Sequence, residues 1–365
     1  MPAQMQLSSF DVAIIGGGPG GSATALSLRQ HAPSLSVVLI EASHYESQRV
    51  GETLPPPVRS ILEHLGVWEA FRSQHHRKAY GTTAIWGRGV PLDNDFIYMP
   101  AGVGWHLDRA SFDAMLAGLS ESRGAVLILN ASLREASRTA DEWRLTLSTG
   151  SRLSARFIVD ATGGTAVFAR RCGARFTRAD HLIGIARFFE GSDDCPGTLV
   201  EAFEDGWWYT AGLNGGRRIV ACMTDSDLAR RKRLHETEQW SRILAAMPHV
   251  GAMLKESRPC GPLVIRSTGS RRLDPPAGDH WLAVGDSASR FDPLSSQGIA
   301  KALRSGIFAS YAIGDLLTQG DDTGLRRYRR YVMEEFKSYM EVRAKYYREE
   351  QRWPASEFWR RRHAP

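Results

Sequence analysis

The sequence predicts an α/β protein in which a parallel sheet flanked by helices is interrupted by a second, antiparallel sheet and followed by a helical C-terminus. Three observations lead there. Residues 11–15 (DVAII) and 36–41 (SVVLIE) are short apolar runs separated by a glycine turn and an Ala/Ser/Leu-rich stretch, the pattern of one βαβ unit. A further apolar run at 282–286 lies far along the chain, so the parallel sheet is assembled from distant segments. Residues 125–160, 181–224 and 262–268 read as sheet strands, which adds a second layer of structure.

Taken in order, a strand at 11–15 is followed by a helix running to about Arg29 and a strand at 36–41. Residues 58–72 read as one amphipathic helix, with Val58, Ile61, Leu62, Leu65 and Trp68 on one side. The stretch 80–104 is strand-like and Gly-rich, and a helix over 109–122 starts after Asp108. Strands follow to residue 160, then the long strands of the second sheet, then the buried strand at 282–286 and a helix from near Gly298. From about 320 the chain is helical and charged. The expected division is a discontinuous first domain (1–80, 105–180 and 270–320), a sheet domain (81–104 and 181–269) and a C-terminal helical segment (321–365).

Composition bounds the function. With 365 residues and 42% hydrophobic content, burying a core is no difficulty. No stretch reaches the run of ~18 apolar residues that a spanning helix needs. The N-terminus MPAQMQLSSF lacks a basic region followed by an apolar one, so the expectation is a cytoplasmic protein with no membrane partner. Cys172, Cys195, Cys222 and Cys260 are scattered without a CxxC pair and read as ordinary thiols, with no metal site expected. The net charge of +6 is carried late, in Arg326, Arg327, Arg329, Arg330, Arg360, Arg361 and Arg362. These read as a solvated helix face, and no nucleic-acid module accompanies them.

Two stretches carry chemistry. Gly16-Gly17-Gly18-Pro19-Gly20-Gly21 supplies G-x-G-x-x-G after a strand and at the opening of a helix. Gly16 permits the tight turn, Gly18 lets the backbone approach a diphosphate, and Gly21 lets helix and strand pack closely. Pro19 and Gly20 open the helix, whose N–H groups face phosphate. Glu41, at the end of the second strand, is placed to accept hydrogen bonds from a ribose. The second stretch is Trp281-Leu282-Ala283-Val284-Gly285-Asp286-Ser287-Ala288, a strand ending in Gly285-Asp286, with Asp286 positioned for a sugar or ribityl hydroxyl. Pro293-Leu294-Ser295-Ser296-Gln297-Gly298 then leads into a helix whose N–H groups can stabilise negative charge.

Together these motifs resemble the glutathione-reductase-type FAD superfamily, which implies a Rossmann-type FAD-binding domain of the p-hydroxybenzoate-hydroxylase-like kind, FAD held non-covalently, and an inserted substrate domain. Three more segments narrow the likeness. Arg49-Val50-Gly51-Glu52-Thr53-Leu54-Pro55 resembles the GE-T-L-P segment of flavin-dependent halogenases. Leu107-Asp108-Arg109-Ala110-Ser111-Phe112-Asp113 resembles the LDR-x-x-FD segment of aromatic hydroxylases and halogenases. Val159-Asp160-Ala161-Thr162-Gly163 resembles their DATG segment. The resemblance implies that Arg49 lies near the diphosphate and Arg109 near the cofactor. Gly51, Glu52, Asp160, Gly285, Pro293, Gln297 and Gly298 join them as expected cofactor-binding residues.

Halogenases of this superfamily need a lysine that takes up the oxidised halide, and its position falls near Gly81, with Lys78 three residues early. Their W-x-W-x-I-P motif is altered to Gly206-Trp207-Trp208-Tyr209-Thr210-Ala211, and Arg290 stands where they often carry Phe. These departures argue against halogenation. Hydroxylation of an electron-rich ring instead needs a dry pocket, molecular oxygen, and either a reduced nicotinamide that docks transiently or a separate flavin reductase. A general base would remove the ring proton, and Glu52, His75, His76 and His106 are the candidates; the sequence does not assign the catalytic residue and leaves Glu52 and His106 as the candidates for it.

The nearest overall resemblance is to the LodB/GoxB-type flavoproteins that mature amino-acid oxidases with cysteine tryptophylquinone. It rests on Val50-Gly51-Glu52-Thr53-Leu54-Pro55-Pro56, Ala84-Ile85-Trp86-Gly87, and Arg352-Trp353-Pro354 through Phe358-Trp359-Arg360-Arg361. It implies oxygenation of a tryptophan side chain in a precursor protein, itself a quinone-cofactor oxidase. Tyr346, Trp353, Phe358 and Trp359 either contact that precursor or pack back on the fold. A halogenase, a small-molecule aromatic hydroxylase, a prenyl-lipid reductase and a flavin-bound maturation chaperone remain the alternatives.

Overall fold

The apolar run Val12–Ile15 needs cover on both faces. In the computed structural model of the chain, which describes residues 8–191 and 197–363, it lies at the centre of the main sheet. Ser8–Ile15 pairs in parallel with Val37–Ile40 on one side and Arg152–Asp160 on the other. Val126–Ile128 and Trp281–Ala283 extend the parallel array outward. Leu133–Arg138 and Trp143–Leu147 add an antiparallel flank. The chain order reverses about the first strand, and the crevice beyond the strands' carboxyl ends at such a point is where α/β sheets bind ligands.

Two helices line that crevice. Pro19–His31 and Gly298–Gln319 pack so closely that a Cβ on Gly306 would sit 2.5 Å from the Gly20 carbonyl oxygen. Ser310 Oγ donates to Ser27 Oγ across the contact at 2.7 Å. Small residues at the crossing thus bring two helix N-termini to the same opening.

The second sheet has seven strands, in the order Arg258–Ser267, Leu182–Glu190, Arg217–Asp225, Gly206–Gly212, Thr198–Phe203, Gly81–Ile85 and Pro91–Asp95. It is antiparallel apart from one parallel seam between Thr198–Phe203 and Gly81–Ile85, where a segment from early in the chain joins. Residues 226–245 hold two helices that the strand pattern does not announce, Ser226–Arg231 and Thr237–Ala245. Trp240 and Leu244 from the second pack with Ile185, Trp208 and Val220 on one face of the sheet.

The expected single helix over 58–72 is two, Val58–His64 and Trp68–Ser73. Gly66 breaks it by adopting φ +63°, a conformation glycine takes without steric cost. Arg123 caps the break, donating to the Leu65 and Gly66 carbonyls at 2.7 Å each. The apolar side still faces inward, with Val58, Leu62 and Leu65 buried. By contrast, Arg109–Ser122 begins at Asp108, whose carboxylate accepts the Ser111 N–H at 3.0 Å.

The C-terminus resolves the choice posed for the tail. Trp359 and Phe358 are buried with Tyr347, Trp207 and Ile219 against the seven-stranded sheet. Trp86 donates to the Tyr346 carbonyl at 2.8 Å, and Arg352 reaches the Ile85 carbonyl at 3.2 Å, so the two distant segments singled out above meet. Tyr346 stays half exposed. Arg326, Arg327, Arg329, Arg330, Arg360 and Arg361 are exposed, but Arg362 is buried and paired to Asp225 at 2.7 Å. A lone guanidinium at that depth requires a carboxylate partner, which the sequence run of arginines hides. Cys172, Cys222 and Cys260 are free thiols. Cys195 and residues 1–7 lie outside the described residues. No helix among the described residues is long and apolar enough to cross a membrane.

Candidate functional site

A cavity of about 1070 Å³ opens at the crevice and runs between the two sheets. Of the expected cofactor residues, Gly16, Gly18, Pro19, Gly20, Glu41, Arg49, Gly51, Glu52, Arg109, Gly285, Asp286, Pro293 and Gly298 line it. Three do not. Gly21 lies behind the turn, where a Cβ would strike the Gly16 carbonyl and approach Ala161 to 3.0 Å. Gln297 is exposed and stands at the N-cap position of the following helix without a side-chain hydrogen bond to it. Asp160 is fully buried and spends its carboxylate on the loops themselves. It accepts from Thr162 N (3.0 Å), Thr162 Oγ1 (2.7 Å), Ala169 N (2.8 Å) and Ser287 Oγ (3.1 Å), tying the DATG turn to the Gly285-Asp286 turn.

The glycine turn fits a diphosphate. A Cβ on Gly18 would meet nothing within 4 Å, and the helix it caps has no side-chain cap and no acidic residue in its first turn. The helix at Gly298 is likewise uncapped by any side chain, and Gly298 also faces open space. Two sets of unsatisfied N–H groups therefore face one cavity.

Glu41 is buried at the edge of the cavity, accepting from Gly17 N at 2.8 Å and from Ser43 Oγ at 2.5 Å. Arg49 bridges it at 3.2 Å to Asp113 at 2.7 Å, and Asp113 also takes both ends of Arg109 at 3.1 and 3.3 Å. Asp113, fully buried, thus orders both arginines, and Arg109 in turn donates to the Val50 and Gly51 carbonyls at 3.1 and 3.0 Å. The Arg109–Asp113 spacing of one helical turn is the signal that would have found this role. At the other end Asp286 pairs with Lys301 at 3.0 Å. Lys301 is itself buried and also bonded to the Ser289 carbonyl, a partner visible in sequence only as a lone lysine on an apolar helix face.

Of the four candidate bases only Glu52 is in the cavity wall. Its side chain is buried, and Oε1 has no hydrogen-bond partner. Burial pushes its carboxyl up to about 7, against the pull of its own backbone amide, of Arg109 and of the Gly51 amide. Beside it, Thr53 Oγ1 and Tyr209 OH share a 2.6 Å hydrogen bond at the same wall. Tyr209 lies within the altered tryptophan motif. Strand alternation sends Trp207 and Trp208 into cores on opposite faces of the sheet and leaves Tyr209 at the cavity.

His106 is not in the cavity. It is buried beneath the second sheet with both ring nitrogens engaged, by the Gly212 carbonyl at 2.8 Å and Thr198 Oγ1 at 2.9 Å. Burial depresses it to about 4, so it is neutral and has no free nitrogen for a substrate. His75 and His76 line a separate surface cavity of about 790 Å³ with Lys78, Trp68 and Trp105. Both nitrogens of His76 are used, by Asp108 N at 3.2 Å and Gln74 Oε1 at 2.8 Å. Lys78 is exposed there, and no lysine is among the described residues that line the larger cavity.

Glu52 has a consequence for stability. Its folded pKa lies above the ordinary 4.5, so between pH 4.5 and about 7 the unfolded chain releases a proton that the folded chain retains. Stability therefore falls across that window as pH rises. Glu52→Gln in the FAD-free protein is expected to melt higher than wild type above pH 7, by roughly 3 kcal/mol, and to show no gain below pH 4.5. Denaturant melts at pH 4, 6 and 8 check this.

The chain matches the FAD binding domain family over residues 9–340. It is 30% identical to the FAD-dependent oxidoreductase LodB of Marinomonas mediterranea over 98% of both chains. The structure of the peptidyl tryptophan dihydroxylase QhpG, essential for tryptophylquinone cofactor biogenesis, is similar with a TM-score of 0.81 at 25% identity, covering 98% of this chain and 79% of that one. The structure of the myxobacterial chondrochloren halogenase CndH superposes with a TM-score of 0.90 at 24% identity, covering 98% and 86%.

Proposed function

Since the chain belongs to the FAD binding domain family, with LodB-type flavoproteins of the halogenase and aromatic hydroxylase superfamily, we propose that it is an FAD-dependent monooxygenase that hydroxylates a tryptophan side chain of a precursor protein during quinone cofactor biogenesis. The observation that carries the reading is a buried carboxylate, Glu52, whose Oε1 has no hydrogen-bond partner, in the wall of a cavity that no lysine lines among the described residues.

In this reading Gly16, Gly18 and Gly20 receive the FAD diphosphate, Glu41 a ribose and Asp286 the ribityl chain. The N-terminus of the Gly298–Gln319 helix faces the flavin's pyrimidine edge. When bound, the flavin supplies oxygen activation, with molecular oxygen and two electrons from a reduced nicotinamide or a flavin reductase. The chain's own part is to exclude water and to take one proton. Glu52 Oε1 accepts the proton that the indole carbon loses when oxygen is attached, a transfer for which a carboxyl near pH 7 is matched. Tyr209 and Thr53 form a polar wall able to donate to the new oxygen. In this reading the seven-stranded sheet carries the substrate side, and residues 81–104 and 181–269 form the substrate domain.

Co-expression with the precursor oxidase tests the proposal. The expected result is one or two oxygen atoms added to a single tryptophan, seen by tryptic mass spectrometry and dependent on FAD loading. Binding without added mass would make the protein a maturation chaperone, and halide incorporation would make it a halogenase.

A further inference from the structure

Arginine residues meet where a sheet ordinarily avoids them. In the small three-stranded sheet of Arg175–Arg178, Arg271–Asp274 and Ser289–Arg290, Arg178 is the direct cross-strand partner of Arg271, and Arg271 that of Arg290. Like charges placed opposite each other destabilise a sheet. The middle of the row is the deepest: Arg271 is only 6% exposed, between an exposed Arg178 and an intermediate Arg290.

Arg271 and Arg290 both line the large cavity, and Arg266 stands at its exposed rim. Arg271 Nη2 and Arg290 Nη1 each lie 3.0 Å from the point that a Cβ on Gly164 would occupy, so the two guanidiniums converge. Among the described residues neither is ion-paired. Arg290 is held by the Gly269 carbonyl at 3.0 Å and Ser267 Oγ at 2.9 Å, and Arg271 by the Gly164 carbonyl and by stacking on Phe176 at 3.7 Å. Arg271 Nε has no partner at all. Burial and then the neighbouring Arg290 depress Arg271 to about 10. The carboxylates that act on the pair, Asp286 and Asp180, are already taken, by Lys301 and by Arg343.

Two converging cations, one buried and one half-buried, with no ion-pair partner of their own among the described residues, call for a ligand that brings two negative charges in one small group. A single carboxylate neutralises only one of them, and an indole neither. We propose that Arg271 and Arg290, with Arg266 at the rim, form an anion site for the diphosphate of a second nucleotide that enters the cavity beside the bound FAD. The inference rests on FAD occupying the glycine turn at Gly16–Gly21. A reduced nicotinamide dinucleotide is the member of that class that hydroxylation calls for.

The test uses washed, FAD-loaded protein and reads binding rather than turnover. Sodium pyrophosphate, NADH and NADPH are titrated separately by calorimetry and by perturbation of the flavin absorbance. The expected result is that pyrophosphate binds, competes with at least one dinucleotide, and weakens as salt rises. The double variant Arg271→Met with Arg290→Met should lose roughly a hundredfold in affinity for both ligands. Arg290→Gln alone should lose roughly tenfold while its melting profile and FAD content stay those of wild type. Absence of pyrophosphate binding to wild type overturns the proposal. So does a well-folded double variant that purifies without FAD, since the arginines then serve the FAD diphosphate itself. Tight binding of an acidic peptide with none of phosphate ligands also overturns it. None of these outcomes depends on whether oxygen is added to a tryptophan, so the two readings fail separately.

Discussion

Replacing Gly18 with valine is expected to leave a folded protein that no longer retains FAD. The backbone at Gly18 has φ −71°, open to any L-residue, and a Cβ there meets nothing within 4 Å. The fold itself therefore has room for a side chain, whereas the diphosphate assigned to that space has none to give up. An affinity loss on the order of a hundredfold or more, about 3 kcal/mol, is expected. The measurement is the flavin absorbance of the purified protein together with its far-ultraviolet circular dichroism. The neighbouring glycines behave differently. Gly16 adopts φ +111°, and a Cβ on it or on Gly21 would collide with backbone, so substitution there damages the fold as well. A yellow Gly18→Val protein would remove the diphosphate from the turn and, with it, the placement of every other cofactor residue.

The second large effect is expected at Glu52. Glu52→Gln keeps the size of the side chain and the hydrogen bond from Leu107 N to the residue-52 carbonyl, 2.8 Å in the native chain. It removes only the ability to take a proton. Hydroxylation of the precursor is expected to slow by roughly 10²- to 10³-fold with FAD content unchanged. The native rate should rise with pH through about 7, as burial delays loss of the carboxyl proton to that range, and the variant should show no such rise. His106→Gln serves as the control. That ring is neutral and fully engaged, so any loss it causes should be insensitive to pH. A native pH profile in Glu52→Gln would exclude the carboxylate as the base.

Those two residues mark how much was legible in the sequence. The glycine turn, Glu41 and the Gly285-Asp286 turn are local signals, because strand, turn and helix succeed one another within a few residues. Their convergence on one cavity follows from the order of the parallel strands. Glu52 was visible only as one of several acidic or histidine candidates. What separates it from His75, His76 and His106 is depth and direction, which depend on the pairing of Thr53–Leu54 with Gly104–His106 and on the second sheet above. The arginine row was invisible for the same reason. Arg178, Arg271 and Arg290 come from three separate strands, and only the registers Arg178↔Arg271 and Arg271↔Arg290 make them neighbours. The helix break at Gly66 was missed because apolar periodicity continues across it, and one glycine with a positive φ changes direction without disturbing the buried side.

One last contact ties the cavity wall to the long C-terminal helix. Asp292, directly ahead of Pro293 in the loop beside the cavity, is buried and held from the long C-terminal helix Thr323–Glu349. Arg343 Nε and Tyr347 OH donate to its carboxylate at 3.1 and 2.8 Å, and its own N–H donates to Tyr339 OH at 2.6 Å. The glycine turn is translated more than three hundred residues ahead of Arg343 and Tyr347, which clamp the opposite wall. The pocket is therefore complete only once Tyr347 has been made, and a nascent chain halted before Tyr339 would carry the glycine turn without its latch.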